Sequence, residues 1–151
     1  MTQEHETLLE EYPITVRLPV HWGDMDAYQH VNNVVYFRWF ETARVSYFDA
    51  MHIMGDPAVP VRPILASVQC RYKAPLLHPD VVVVGARVDG VQEDRFRMSY
   101  AVVSEALARV AAVGEGLVVS FDYAAGHKVA LPAAWRESIA SIEARASHDA
   151  P

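Results

Sequence analysis

The feature that most constrains the fold is a long amphipathic stretch that begins at Asn33. Neither Gly nor Pro interrupts it before Gly55, and large apolar residues recur along it at helical spacing. Asn32 or Asn33 can cap its start, because a short polar side chain accepts a hydrogen bond from the free amides of a first helical turn. The stretch therefore predicts a long, largely wrapped helix, one side of which carries Val34, Phe37, Phe40, Arg44, Phe48 and Met51, broadened by Val35, Trp39 and Ala43.

Strand-like stretches flank this helix on both sides, at residues 12–22, 64–72, 81–88, 95–103 and 109–123. Residues 55–63 contain three prolines and predict a loop, Asp89-Gly90 is a hairpin signal, and Gly114 and Gly116 suggest a bulge or bend in the last strand. Pro132 suits the first turn of a C-terminal helix over about 132–146. This order indicates an α+β fold, with an antiparallel sheet of about five strands packed around one helix rather than a βαβ repeat.

Length and composition limit the class of protein. A chain of 151 residues fits a single domain, expected to span 1–151 with a core over about 13–125. The net charge of −6 argues against nucleic-acid binding, and an anionic ligand would need a local basic patch. We expect no membrane span, because no apolar run approaches about 18 residues. Cys70 is the single cysteine and residues 1–11 lack a secretory pattern, so a cytoplasmic location is expected.

Chemically versatile residues cluster just before the helix, in residues 23–33. The unpaired amides and the dipole of a helix N-terminus favour negative charge, so a carbonyl that develops oxyanion character could be held there. Asp26 would then act as base or nucleophile, although an aspartate here can also simply stabilise a turn. His30 could orient that carboxylate or water, or be satisfied by the backbone. A metal site built from His21, Asp24, Asp26 and His30 lacks a recognised ligand spacing, and no metal is expected.

Two motifs link the chain to a known family. The first is Asp-x-Asp-x-x-x-His-Val-Asn-Asn, which begins at Asp24, and the second is Tyr-x-x-x-Phe-Glu-x-Ala-Arg, which begins at Tyr36. With these motifs, residues 21–44 resemble the hotdog-fold acyl-CoA thioesterases of the 4-hydroxybenzoyl-CoA thioesterase-like branch, and residues 67–76 resemble the second strand of that family. The resemblance implies a curved sheet around the central helix. It also implies a homodimer or homotetramer with active sites at the dimer interface.

The resemblance also implies roles for individual residues. The catalytic aspartate of the family falls on Asp26, and the amide that binds the oxyanion falls on Asn33, where better-known members carry Tyr or His. That difference leaves the backbone role intact. Glu41, in the second motif, is expected to be structural. Residues expected to contact substrate are Tyr28, His30, Val31, Asn32 and Tyr36, with Arg71 and Lys73 for the phosphates of coenzyme A.

The predicted activity is hydrolysis of an acyl-CoA to the free acid and coenzyme A, with no bound cofactor because coenzyme A is part of the substrate. The main alternative is a hotdog protein that binds acyl-CoA without turnover, and a third candidate is a hydratase or dehydratase on the same fold. The acyl group, the choice between coenzyme A and acyl-carrier protein, the choice between general base and nucleophile, and the choice between dimer and tetramer stay open at this point.

Overall fold

The computed structural model describes residues 7–147. In chain order its elements are strand β1 (Ile14–Val20), a 3-10 helix (Trp22–Asp24), helix α1 (Asn33–Ala50), strands β2 (Val61–Tyr72), β3 (Asp80–Asp89), β4 (Arg95–Ser104), β5 (Arg109–Asp122) and β6 (His127–Lys128), and helix α2 (Ala133–Ser147). The predicted α+β hotdog architecture is confirmed, with one long helix against an antiparallel sheet. In the described part of the chain, no helix is long and apolar enough to cross a membrane.

The strands form one antiparallel sheet in the order β1-β3-β4-β5-β2, with β6 paired to the end of β5. The two-residue strand β6 was not predicted, because it is too short to show a periodicity. Strand β2 begins at Val61 and so includes Pro63, which the loop prediction for residues 55–63 had excluded. The sheet tolerates this proline because β2 lies at its edge, where a missing N–H need not break a ladder on both sides.

Gly114 lets the helix approach the sheet. Strand β5 does carry a bulge, but it lies at Ala111, which has no opposite residue in β4, and not at Gly114 or Gly116 as predicted. A second register shift lies in β2, between Leu65 and Ser67. A Cβ atom at Gly114 would lie 2.6 Å from Cζ of Phe40, a residue of α1. That ring stacks on Tyr100, which pairs with Gly114 across the sheet, at 4.8 Å between ring centroids. The absent side chain therefore makes room for a central aromatic contact of the core.

Helix α2 is joined to both α1 and the sheet through one carboxylate. The hydroxyl of Tyr47 donates to Oε2 of Glu143 at 2.6 Å, and the backbone N–H of Val88 donates to the same oxygen at 3.1 Å. Burial is the main influence on this carboxyl group and raises the pKa of Glu143. Glu143 thus links α1, β3 and α2 beside the second half of α1.

Candidate active site

The loop between β1 and α1 closes on itself like a small hairpin. Met25 and Val31 form an antiparallel bridge. Just inside the bridge, the N–H of Asp26 donates to the carbonyl of His30 at 3.0 Å, and the N–H of Gln29 donates to the carbonyl of Asp26 at 2.9 Å. Gln29 takes a left-handed conformation with φ 63°, which completes the turn. The position of Asp26 is therefore fixed by local backbone hydrogen bonds.

Asp24 anchors this loop to α1. The Asp24 side chain is only 6% exposed, and its two oxygens accept from Nη2 of Arg38 at 2.6 Å and from the N–H of His21 at 2.8 Å. The carbonyl of Asp24 also accepts from the N–H of Asn32 at 2.9 Å. Because both carboxylate oxygens are engaged, Asp24 orients the loop and is a poor candidate for chemistry.

Asp26 differs from Asp24 because only one of its two carboxylate oxygens accepts a hydrogen bond within residues 7–147. The Asp26 residue is exposed, and Oδ1 accepts from the N–H of Tyr28 at 2.9 Å, which is the turn-stabilising role that any aspartate here could fill. Within residues 7–147, Oδ2 has no hydrogen-bond partner. A carboxylate held at one oxygen and open at the other can accept a proton from water or attack a carbonyl carbon.

The start of α1 carries a backbone N–H donor close to Asp26 in the sequence. Asn32 is the N-cap: its side-chain oxygen accepts from the N–H of Val34 at 3.1 Å, which decides between the two predicted caps. Asn33 is the first helical residue and is exposed, and its N–H has no acceptor among the described residues. Its carbonyl accepts from the hydroxyl of Tyr72, at the end of β2. The Asn33 amide is thus an unpaired donor at the positive end of the helix dipole.

The other predicted contact residues fall into two groups. Tyr28 and His30 lie on the surface of the loop. Tyr28 is 85% exposed, and the imidazole of His30 makes no hydrogen bond within the described part of the chain. Val31 and Tyr36 are buried beneath it, and Tyr36 packs edge to face on Tyr72 at 4.9 Å between centroids. Burial raises the pKa of Tyr36 to about 12, so this phenol stays neutral.

Arg71 and Lys73 are both exposed at the end of β2, and neither forms an ion pair with any residue in 7–147. The N–H of Lys73 continues the pairing with β5 by donating to the carbonyl of Ala111 at 2.8 Å. Two other arginines are already engaged, Arg38 with Asp24 and Arg62 with the carbonyl of Pro57. Arg71 and Lys73 are therefore cations available to an anionic ligand.

One cavity lies beside the Asp26 loop, and a larger one lies farther along α1, where its lining includes none of the predicted site residues. A cleft of about 480 Å³ opens beside the loop and is lined by Trp22, Met25, Asp26, Gln29, Leu77 and His78. A larger cavity of about 650 Å³ lies between the second half of α1, the loop that follows and the first half of β2. Its wall is mainly apolar, with Val45, Phe48, Met54, Val59 and Leu65 among the lining residues, and it also includes Glu41 and Arg44.

Sequence reasoning missed the larger cavity, and one signal could have indicated it. Arg44 interrupts an otherwise apolar side of α1, and a charged residue in a buried stripe requires a hydrogen-bonding or charged partner.

The structure does not support a metal site in the part of the chain that it describes. It places no group of three or more His, Cys, Asp or Glu residues together within 7–147.

Comparison with known proteins identifies the family. Residues 20–140 match the thioesterase-like superfamily. A thioesterase from Thermus thermophilus, complexed with coenzyme A and Zn, is 32% identical, with a TM-score of 0.79 over 89% of this chain and 98% of that one. The PA5185 protein of Pseudomonas aeruginosa is 28% identical, with a TM-score of 0.78 over 89% and 94% of the two chains. Slr0204, a 1,4-dihydroxy-2-naphthoyl-CoA thioesterase from Synechocystis, shares the fold at 19% identity, with a TM-score of 0.75 over 84% and 95%. This chain is therefore a hotdog-fold member of the thioesterase-like superfamily.

Proposed function

We propose that this protein hydrolyses an acyl-CoA thioester to the free acid and coenzyme A, with Asp26 and the backbone amide of Asn33 as its catalytic groups. The observation that carries the proposal is their common setting. The free carboxylate oxygen of Asp26 and the free N–H of Asn33 belong to one hydrogen-bonded loop at the start of α1. Membership of the thioesterase-like superfamily and the relative complexed with coenzyme A support the class of substrate.

The chemistry assigns complementary roles to the two groups. As the thioester carbonyl is attacked, its oxygen gains negative charge, which the Asn33 N–H and the helix dipole stabilise; one such donor is commonly worth about 10²- to 10³-fold in rate. Asp26 either removes a proton from the attacking water or attacks the carbonyl itself to give a mixed anhydride that water then cleaves. Both routes release coenzyme A as a thiolate and need the same open carboxylate oxygen.

The proposed active unit is a dimer formed through β2. Among the described residues nothing pairs with the outer edge of this strand, which is 12 residues long. Two copies related by a two-fold axis can pair their β2 edges in antiparallel fashion. The end of β2 lies beside the Asp26 loop through the Tyr72–Asn33 contact, whereas the start of β2 lines the larger cavity. Antiparallel pairing would therefore bring the cavity of one protomer toward the Asp26 loop of its partner, as a pocket for the acyl group.

The coenzyme A end of the substrate is assigned to Arg71 and Lys73. The chain has a net charge of −6, but these two exposed cations form no ion pair with any residue in 7–147 and so make a local positive patch. Their proposed role is to bind the phosphates of coenzyme A, an interaction that salt would weaken.

Thiol release from short, medium, long and aromatic acyl-CoAs, followed with a thiol-reactive dye, tests the activity. We expect turnover of one class by the wild type and a loss of about 10²-fold or more in Asp26→Asn. Asp49→Asn, at an exposed position of α1, is the matched control and should keep the wild-type rate. Equal rates in Asp26→Asn and the control would exclude Asp26 from the chemistry. Detectable binding without thiol release from any acyl-CoA would favour the non-catalytic binder instead.

A further inference from the structure

Arg44 is a buried cation on the wall of the larger cavity. It is 7% exposed and lies on the apolar side of α1. Nη1 donates to the hydroxyl of Tyr100 at 3.1 Å, and Nη2 lies 4.0 Å from Oε2 of Glu41. Since a guanidinium has five N–H donors, this single hydrogen bond within residues 7–147 leaves most of them unused.

The other charged groups around this cavity have their own partners or lie in solvent. Oδ1 of Asp56 accepts from the N–H of Ala58, and Arg62 donates to backbone carbonyls of the same loop. Glu41 is at the rim, with its side chain 67% exposed. Arg44 therefore combines burial, contact with an apolar cavity and unused donors.

This combination discriminates between ligands. A plain hydrocarbon chain in the cavity would exclude water and leave the guanidinium donors without acceptors, which is costly for a buried charge. A chain that brings an acceptor oxygen to the same place would supply the missing partner, and a hydrogen bond to a charged group is stronger than one between neutral groups. The cavity thus favours acyl groups that are mostly apolar but carry a polar oxygen away from the thioester.

We propose that Arg44 is a specificity-determining residue that selects acyl groups bearing an acceptor oxygen, as a hydroxyl or a carboxylate, at the end distant from the thioester. This inference rests on the proposed thioesterase function and on the cavity as its acyl pocket. It narrows the substrate to hydroxyacyl or carboxyacyl thioesters.

The test uses matched acyl-CoAs of short, medium and long chain length that end in a methyl, a hydroxyl or a carboxylate group. For the wild type we expect kcat/KM to be about tenfold or more higher for an oxygen-bearing chain than for the methyl-ended chain of the same length. In Arg44→Met this ratio should fall close to one, and Arg44→Lys should recover part of it. Tyr100→Phe removes the internal partner of Arg44 and should retain the wild-type ratio. The hydroxyl and carboxylate arms show which oxygen is preferred.

The failure of this inference differs from failure of the proposed function. Thiol release at the same kcat/KM from methyl-ended and oxygen-bearing chains would overturn the role of Arg44 and leave the thioesterase intact. A ratio unchanged in Arg44→Met would overturn it as well, because a merely structural arginine would change all chains alike. If Arg44→Met does not fold, the kcat/KM ratios of the wild type and of Arg44→Lys decide whether Arg44 selects the acyl group. If no thioester is cleaved, the hydrolase proposal fails. The role of Arg44 is then tested by the ratio of the dissociation constants of the methyl-ended and oxygen-bearing chains.

Discussion

The hydroxyl of Tyr72, the last residue of β2, donates a hydrogen bond of 2.9 Å to the carbonyl oxygen of Asn33, the first residue of α1. This contact joins the edge of the sheet to the helix start that carries the proposed oxyanion donor. The ring of Tyr72 also packs on buried Tyr36, so the hydroxyl is held in place by an aromatic contact. Burial raises the pKa of Tyr72 to about 12, which keeps the donor protonated at neutral pH.

Tyr72→Phe keeps the ring and removes the donor. We expect kcat/KM for thiol release to fall about three- to tenfold, whereas the free energy of unfolding falls by only about 0.5–1.5 kcal/mol, the net worth of one hydrogen bond. Tyr123→Phe, at another exposed tyrosine, is the control and should change neither quantity. Rates for both variants equal to the wild type would show that the Tyr72 contact does not position the site.

Arg38→Met should destabilise the loop. It leaves the carboxylate of Asp24, which is 6% exposed, without its charged partner. Because the side chain of Arg38 is itself 57% exposed and solvent screens the pair, we expect a loss of about 1 kcal/mol in the free energy of unfolding. Arg17→Met breaks the exposed Arg17–Glu105 pair and should have a smaller effect. Urea denaturation measures both, and an equal loss in the two variants would contradict the anchoring role of Asp24.

Gly114→Ala should destabilise the core. The added methyl would collide with the ring of Phe40, and overpacking of this kind costs about 1–3 kcal/mol. Gly23→Ala meets nothing within 4 Å and serves as the control. Phe40→Leu should be less damaging in the Gly114→Ala background than in the wild type, because the smaller side chain relieves the part of the collision that involves the ring and leaves only the contact with the carbonyl oxygen of Gln69. Strict additivity of the two changes in thermal denaturation would argue against the contact.

Glu143 should make stability depend on pH. Burial raises its pKa, and the hydrogen bonds from Tyr47 and Val88 and the charge of Arg87 offset this only in part, so the folded protein holds the proton more tightly than the unfolded chain. The free energy of unfolding therefore falls as pH rises from the ordinary glutamate pKa of about 4.3 through the raised value. Glu143→Gln lacks this titration, so its Tm should rise relative to wild type across that window. Exposed Glu137→Gln is the control, and parallel curves for wild type and Glu143→Gln would refute the shift.

Two inactive variants should complement each other if the site spans two protomers. Asp26→Asn removes the carboxylate, and Met54→Trp fills the larger cavity from its rim. In a refolded mixture, mixed dimers carry one site with both an intact loop and an intact cavity, so thiol release should recover to about one quarter of the wild-type rate. No recovery, despite mixed dimers detected by mass spectrometry, would place the loop and the cavity of one active site in the same protomer.

Local patterns predicted most of the architecture. The helix was predicted to begin at Asn33, where α1 does begin, because an apolar stripe and a capping asparagine are encoded in adjacent residues. The start of β2 was missed because Pro63 argues against a strand unless its place at an edge is known. Gly114 was misread as a bulge because its true reason, the ring of Phe40, is distant in sequence.

The candidate site could also be predicted only in part from the sequence. Asp26 and Asn33 could be named from the sequence because one short loop carries both, and their roles stay predictions that the variants above test. The larger cavity could not be found, since its volume depends on the separation between α1 and β2 in space. Arg44 shows the limit most clearly: its position in the helix was predictable, but its unused donors are visible only once its neighbours are known.

The edge of β2, which pairs with no other strand within residues 7–147, also affects how selective the proposed self-association can be. An uncovered strand of 12 residues would ordinarily attract any extended chain and promote aggregation. Here Pro63 deletes one N–H from the strand, and the irregularity between Leu65 and Ser67 breaks its regular spacing. A foreign strand would meet mismatched hydrogen-bonding groups in most alignments. In the proposed dimer, this edge thus accepts a strand with the same irregularity and discourages fibril growth.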